Sequence, residues 1–119
     1  MAQPQAFEME PWRPYEGTLA YVEKLVQARS RIVDALEFKE AIVGVQILTH
    51  TNCTLEIETA LSLEGPWTTI ASFTGATVTT KHFTSREEGT NKFTRYLRWA
   101  LDRNAANWKT CFKLDVNVL

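Results

Sequence analysis

The stretch 108–119, WKTCFKLDVNVL, decides the fold class, because core-type and polar residues alternate along it. The side chains of a β-strand point alternately to opposite faces, so a segment with this period forms a strand with one buried face. The core-facing set occupies every second position: Trp108, Thr110, Phe112, Leu114, Val116 and Val118. The segment therefore predicts a long strand that covers a hydrophobic core.

Shorter segments upstream repeat the strand signal. Residues 41–49 are β-branched and apolar, which predicts a strand covered on both faces. Residues 54–61 alternate and predict the next strand, and a tight turn at Gly65 and Pro66 leads into a third at 67–73. Several short strands joined by turns are typical of an antiparallel β-sandwich.

The pattern is weaker over residues 74–80 and clear again over 93–101. The first of these segments is small and polar, which indicates a loop or a weak edge strand, and 85–92 is a charged surface loop. In the later strand, Leu97 and Trp99 share the inner face, and Tyr96 and Arg98 lie opposite. By the same parity we expect three tryptophans in the core: Trp67, Trp99 and Trp108.

Residues 18–38 allow two interpretations. Helix formers are frequent there, and Leu19, Val22 and Val26 fall on one helical stripe, so propensity alone favours a helix. With a period of two, the segment becomes two short strands separated by a turn at residues 29–31. The residues themselves leave this choice open.

The first 17 residues, MAQPQAFEMEPWRPYEG, contain three of the four prolines of the chain. Proline removes backbone donors, so we expect an extended arm rather than a helix or a central strand. Four large side chains are spaced among the prolines: Phe7, Met9, Trp12 and Tyr15. They either fold back onto their own domain or dock on a neighbouring subunit. We therefore divide the chain into an arm, 1–17, and a sandwich domain, 18–119.

Charge and composition exclude several classes of partner. The chain has 13 basic and 14 acidic residues among 119, without long runs of either sign, so we expect no nucleic-acid partner and no membrane partner. No apolar segment follows a basic start, which favours a soluble, intracellular chain. Cys53 and Cys111 are too few for a disulfide framework, and we expect both to be reduced.

The residues at 60–68, ALSLEGPWT, followed by Phe83 and by RYLR at 95–98, carry a family resemblance. The chain resembles the small β-sandwich accessory proteins of tailed-phage virions, which are discoidin-like or jelly-roll modules with a Ser-x-Asp-Gly-x-Trp turn before an Arg-Tyr-Val-Arg strand. Glu64 stands where that pattern has Asp. The resemblance covers 25–119, leaves the arm outside, and implies strands rather than a helix at the start of that range.

Residues suited to catalysis or metal binding are few. A hydrolase would need His50 or His82 oriented by a carboxylate beside a nucleophile, and no such arrangement is evident, so we expect no enzyme. A zinc site would require the fold to gather four distant residues: His50, Cys53, His82 and Cys111. A calcium site would use Glu87, Glu88 and Asp102. We expect neither ion, and no cofactor.

The sequence favours assembly over chemistry. We expect a structural protein of a virion or large cytoplasmic assembly, which decorates or cements a capsid and binds other protein subunits, including copies of itself. The partner-binding candidates are the four arm residues together with Tyr96 and Arg98. The alternative is a carbohydrate-binding module, in which Tyr96, Arg98, Asn104 or Asn107 would contact the sugar. Arg95 and Arg98 are also placed to pair with Glu56 and Glu58 across a sheet, or with a neighbouring subunit.

Overall fold

A computed structural model describes residues 3–85 and 92–119 of the chain. Within these residues the protein is built from nine strands and one short 3₁₀ helix, Arg29–Arg31. The strands are β1 (Gln5–Gly17), β2 (Leu25–Val26), β3 (Val33–Asp34), β4 (Glu40–Thr51), β5 (Thr54–Ala60), β6 (Thr68–Phe73), β7 (Thr77–Thr84), β8 (Tyr96–Asp102) and β9 (Trp108–Val118).

The strands form two antiparallel sheets packed as a sandwich, as the sequence predicts. The first sheet has four strands in the order β1-β9-β4-β7, and the second has the order β2-β8-β5-β6. The short strand β3 also pairs with β8, further along the same side as β2. With β2 and β3 counted as one interrupted strand, the two orders are those of a jelly roll, in which two Greek keys wrap a pair of sheets.

The core lies between the sheets and contains the residues that the alternation predicts. The side chains of Leu97, Trp99, Phe112, Leu114 and Val116 are all buried. The Trp99 and Phe112 rings meet edge to face, with centroids 5.1 Å apart. Strand β9 is buried at every second residue because it lies between β1 and β4 and keeps one face on the core.

Three predictions about individual segments need revision or now have an answer. Residues 18–38 contain the short strands β2 and β3 with a 3₁₀ turn between them, so the helical interpretation is wrong. The segment expected to be a loop or weak edge at 74–80 is largely the edge strand β7. Strand β4 is buried on one face only, because Leu48 and its neighbours on the other face have no layer above them.

The N-terminal segment is an integral strand rather than an arm outside the sandwich. Strand β1 pairs with β9 over its whole length, with register irregularities between Glu8 and Glu10 and between Glu10 and Arg13. Backbone groups alternate in direction along an antiparallel strand. Pro4 and Pro14 fall where the groups point away from β9, so they remove no hydrogen bond from the ladder. The division at residue 17 is thus corrected, because an edge strand tolerates prolines at these positions.

Two glycines are required by their surroundings. Gly65 has φ of 88°, a left-handed conformation that glycine adopts without strain, and it forms the turn before β6 as the sequence predicts. A Cβ atom at Gly17 would lie only 2.7 Å from the Trp108 ring. The Trp108 indole donates a hydrogen bond to the Leu19 carbonyl at 2.9 Å, which fixes the ring in this position.

Candidate docking surfaces

The four candidate residues of the N-terminal segment divide into two pairs. Met9 is fully buried, and Tyr15 stacks on Phe112 with ring centroids 5.8 Å apart, so both belong to the core of their own domain. Met9 therefore cannot contact a partner. Phe7 and Trp12 remain 37% and 48% exposed, although they lie on the same strand. The interpretation that these residues fold back onto their own domain holds for one pair, and the other pair stays available for docking.

The candidates Tyr96 and Arg98 lie on the outer face of the second sheet, where they contact their own chain. Arg98 Nε donates to Glu58 Oε1 at 2.8 Å, and its guanidinium lies 4.0 Å from the centre of the Trp67 ring. The expected cross-strand pair of Arg98 and Glu58 is thereby confirmed. Trp67 is only half-buried and lies outside the core, so its predicted place in the core is wrong.

Glu58 is the centre of this outer-face network. It is 2% exposed and receives Lys24 on its second oxygen, Oε2, at 3.1 Å. Lys24 Nζ also lies 2.8 Å from Glu56 Oε1, and hydrogen bonding to Glu56 and then to Glu58 raises the pKa of Lys24. A buried carboxylate is costly unless it is paired and hydrogen-bonded. Two cations and the Trp67 ring above Arg98 supply that compensation.

Arginine covers aromatic rings elsewhere on the surface as well. The Arg95 guanidinium lies 4.7 Å from the centre of the Tyr96 ring and bonds Asp34 through two nitrogens, at 3.1 and 2.9 Å. It therefore does not pair with Glu56 or Glu58, and its hydrogen bonds lower the pKa of Asp34. Arg103 lies 4.2 Å from the Tyr21 ring centre. A sugar that stacked on these rings would meet one face already occupied by a guanidinium.

Two polar side chains in the interior escaped the sequence analysis. Gln27 is buried and joins the two sheets, because its amide nitrogen donates to the Met9 carbonyl at 3.0 Å and its oxygen accepts from the Trp99 amide at 3.0 Å. Glu10 is buried beside it and accepts from the Trp99 indole at 3.0 Å. Both lie on the side of the sandwich where β1 faces β2, and they hold that side together. No residue pattern in the sequence distinguishes them from surface residues.

The opposite side of the first sheet ends in an open strand, β7. The reciprocal bonds between Glu40 and Leu119 fix which backbone groups of β4 face β9. From the register, the groups of Thr79, Lys81 and Phe83 then face β4. Those of Val78, Thr80 and His82 point away from the sheet, and no described residue pairs with them. By the same alternation, Ala6 and Glu8 of β1 point outward at the other edge.

The histidines and cysteines do not form a reactive site within the described residues. His50 lies 3.7 Å from the Cys53 sulfur and 2.7 Å from the Thr110 hydroxyl. Burial lowers the pKa of His50 and raises the pKa of Cys53, so neither an imidazolium nor a thiolate is favoured there. His82 Nε2 lies 3.2 Å from Glu40 on the exposed surface. That pair has the carboxylate a hydrolase would need, but both side chains are exposed to solvent.

The proposed metal ligands are also separated. In the described part of the chain, no three His, Cys, Asp or Glu side chains lie close enough to hold an ion. Cys111 pairs with Thr49 rather than His50, which turns it to the other face of the sheet. Of the calcium candidates, Glu87 and Glu88 lie outside the described residues, and Asp102 ends strand β8. The four zinc candidates are therefore not brought together.

One end of the sandwich contains a depression of about 770 Å³ beside an exposed apolar loop. Asn52 and Asn107, both with φ of 56°, lie at its rim in the β4–β5 and β8–β9 connections, which pass from one sheet to the other, and Lys109 and Trp108 line it. The adjacent loop exposes Leu19, Tyr21 and Val22. Asn107 was a sequence candidate for sugar binding, and this is where the fold places it.

Comparisons with known proteins add no family to this description. No protein-family model matches the chain, and no curated protein or solved structure matches it. Within residues 3–85 and 92–119, no helix has the length and apolar character needed to cross a membrane.

Proposed function

We propose that the protein is a structural subunit that decorates or cements a larger protein particle, of the phage-capsid type, and performs no chemistry of its own. One observation carries the proposal: Phe7 and Trp12 stay exposed on a strand that the sandwich already holds in place. The jelly-roll architecture supports it, because viral capsid proteins use this arrangement of strands. The resemblance of the 60–68 turn and the 95–98 strand to virion accessory proteins supports it further.

The energetics of β1 favour docking through these two side chains. Full burial of a large apolar side chain contributes about 1.5 to 3 kcal/mol. A flexible arm would lose part of this gain to the entropy of ordering. Pairing of β1 with β9 has already ordered the backbone, so Phe7 and Trp12 are presented at low entropic cost. Tyr96 and Arg98 are less suited to a partner because their interactions are used within the chain.

Density-gradient sedimentation of lysates from cells that produce the particles tests the proposal. We expect the wild-type protein to migrate with intact particles at stoichiometric amounts, and the double variant Phe7→Ser, Trp12→Ser to stay at the top of the gradient. A control variant, Leu48→Ser with Leu61→Ser, removes two apolar residues of equal or greater exposure away from β1. Wild-type protein that remains at the top would contradict the proposal.

A carbohydrate-binding role is the second candidate, favoured by the depression at the end of the sandwich and the two asparagines at its rim. Amide and ammonium groups at its rim suit sugar hydroxyls. Its tryptophan is nearly buried and bonded to Leu19, which leaves no open ring for stacking. Glycan-array binding abolished by Asn107→Gly, which keeps the positive φ while removing the amide, would favour this role. Absence of binding to any glycan would remove it.

A further inference from the structure

The two edges of the first sheet are complementary to each other. The sheet has four antiparallel strands, so β1 and β7 run in opposite directions at its two sides. A second copy placed beside the first, with the same face toward the core, brings its β1 next to β7 in antiparallel orientation. The residues whose backbone groups point outward are Ala6 and Glu8 on β1 and Thr80 and His82 on β7, and the side chains of all four lie on the outer face of the sheet. The two edges can therefore pair with the same face of each copy toward its core.

We propose that copies of this protein assemble head to tail, with the Gln5–Glu8 half of β1 adding to the open edge of β7 in the next copy. The inference deepens the proposed function, because it names the partner that β1 meets. The contact is heterologous, and it produces a ring if the rotation between copies closes and a linear polymer if it does not. Backbone hydrogen bonds of the β-addition type supply the register.

The two edge strands, β1 and β7, differ in the length over which they can pair with another copy. Strand β7 pairs with β4 without a register shift from Thr77 to Thr84 and contains no proline. At its far end the Thr84 carbonyl accepts from the Phe93 amide, which leaves the stretch 77–83 for a partner. Prolines and two irregularities protect the later half of β1, which leaves only its first four residues. The edges of the second sheet are protected too, by the short strands β2 and β3 and by an irregularity between β5 and β6.

Charge decides in favour of unlike edges. Lys81 lies at a core-facing position of β7 but is exposed, and an inward lysine on an edge strand normally discourages pairing with another strand. Within its own chain the Lys81 ammonium lies 6.0 Å from the centre of the Phe73 ring and has no carboxylate partner among the described residues. Glu8 of β1 is exposed and has no ion pair among the described residues. In the register that continues the rows of the sheet, Lys81 faces Phe7 on the core side, and Glu8 lies opposite Thr80 on the outer face. The β1 and β7 edges therefore carry charges of opposite sign, whereas two copies of the same edge would carry charges of the same sign.

A groove of about 420 Å³ next to Phe7 offers space for the lysine side chain. Its lining includes Ile32 and Val33, which provide apolar surface for the methylene groups, and Asp34, whose carboxylate is already bonded to Arg95. Arg31 also lines the groove, but on the 3₁₀ turn rather than on β1. Of the two strands themselves, β1 contributes an acidic residue, Glu8, and β7 contributes a basic one, Lys81.

Sedimentation velocity of the purified protein, from about 1 µM to 1 mM, tests the assembly through charge reversal. We expect the wild type to associate with concentration, and Glu8→Lys or Lys81→Glu alone to weaken association at least about tenfold. The double variant Glu8→Lys, Lys81→Glu should restore it. The control Lys113→Glu reverses a charge in the middle of the outer face, on β9, and should associate like the wild type.

A second variant probes the backbone contact directly. The Thr80 amide points away from β4, so Thr80→Pro removes an outward donor without breaking the ladder, and the variant should fold normally but remain monomeric. Any one of three results would overturn the inference. The wild type could be monomeric up to about 1 mM. The single charge variants could associate as tightly as the wild type, or the double variant could fail to recover association. A monomer that still migrates with particles would refute this contact alone, and an assembling protein absent from particles would refute the proposed function alone.

Discussion

The outer face of the second sheet and the open edges of the first sheet use their polar groups in opposite ways. On the second sheet, Glu58 is held by Arg98 and Lys24, and Arg98 lies against Trp67. On the first sheet, the backbone groups of Val78, Thr80 and His82 point outward with no partner in the described chain. Polar groups that are satisfied within the chain stabilise the domain, and groups that are left open are available to another molecule.

The difference separates stability from assembly. Substitutions in the core or in the Glu58 network should destabilise the domain, because they leave a cavity or an unpaired buried charge. Substitutions at the β1 and β7 edges should leave the domain stable and remove contacts between copies. The following variants test this separation, in order of the expected change in the free energy of unfolding.

Phe112→Ala should have the largest effect, about 3 to 5 kcal/mol, since it removes a fully buried ring that touches both Trp99 and Tyr15. Chemical denaturation measures it through the shift in midpoint. Phe112 belongs to the core shared by both sheets, so this loss sets the scale for the other variants. An unchanged midpoint would show that the ring does not support the core as described.

Arg98→Ala should destabilise the domain by about 2 to 3 kcal/mol, because it leaves the buried Glu58 carboxylate with Lys24 as its only cation. The matched control is Arg29→Ala, which breaks the exposed pair of Arg29 with Glu64 and should cost less than about 0.5 kcal/mol. Equal losses in the two variants would contradict the special status of the Glu58 network.

The His50 environment predicts a smaller, pH-dependent contribution. Burial holds the pKa of folded His50 below its ordinary value of 6.5, so the unfolded chain binds the proton more readily. Its contribution is fully present above that ordinary value and is lost as the pH falls through the lower pKa of the folded state. His50→Gln should therefore reduce the loss of unfolding free energy between about pH 7 and pH 5. If the free energy of unfolding of the variant depends on pH as it does in the wild type, His50 is not the source of that pH dependence.

The edge substitutions should have the smallest effect on stability. Glu8→Lys and Lys81→Glu change exposed residues without ion pairs in the described chain, so each should stay within about 0.5 kcal/mol of the wild type at a concentration where the protein is monomeric. Denaturation of dilute protein measures this. A large loss at either site would place that residue with the stabilising network instead of the open edges.

The sequence predicts the regular strands well and the irregular ones poorly. Strand β9 alternates without interruption, so its buried face follows directly from the period of two. In β1, the neighbours Met9 and Glu10 are both buried because of the irregular pairing there, and this hides the strand from any simple period. Strand β7 is rich in threonine and has few apolar residues, which resembles a loop until its pairing with β4 is known.

The candidate docking residues, like the strands, are hard to predict where the strand pairing is irregular. Phe7 lies opposite buried Val116 on the core side of β1 and is exposed because β1 is an edge strand, and Trp12 lies within the second register shift, so the sequence does not predict the exposure of either side chain. Trp67 appeared to be a core residue by parity, but it lies after a turn and packs on Arg98 outside the sandwich. Gln27 and Glu10 are buried only because distant strands bring the Trp99 backbone and indole to them.

Residue-resolved amide hydrogen exchange along β7 tests the central claim most directly, because it reports both the open edge and its occupation. In dilute monomeric protein, we expect slow exchange for Thr79, Lys81 and Phe83, which face β4, and fast exchange for Val78, Thr80 and His82. On assembly, the fast set and the Glu8 amide of β1 should become slow together. Fast exchange at these positions in the assembled state would contradict the claim that the open edges of the first sheet join one copy to the next.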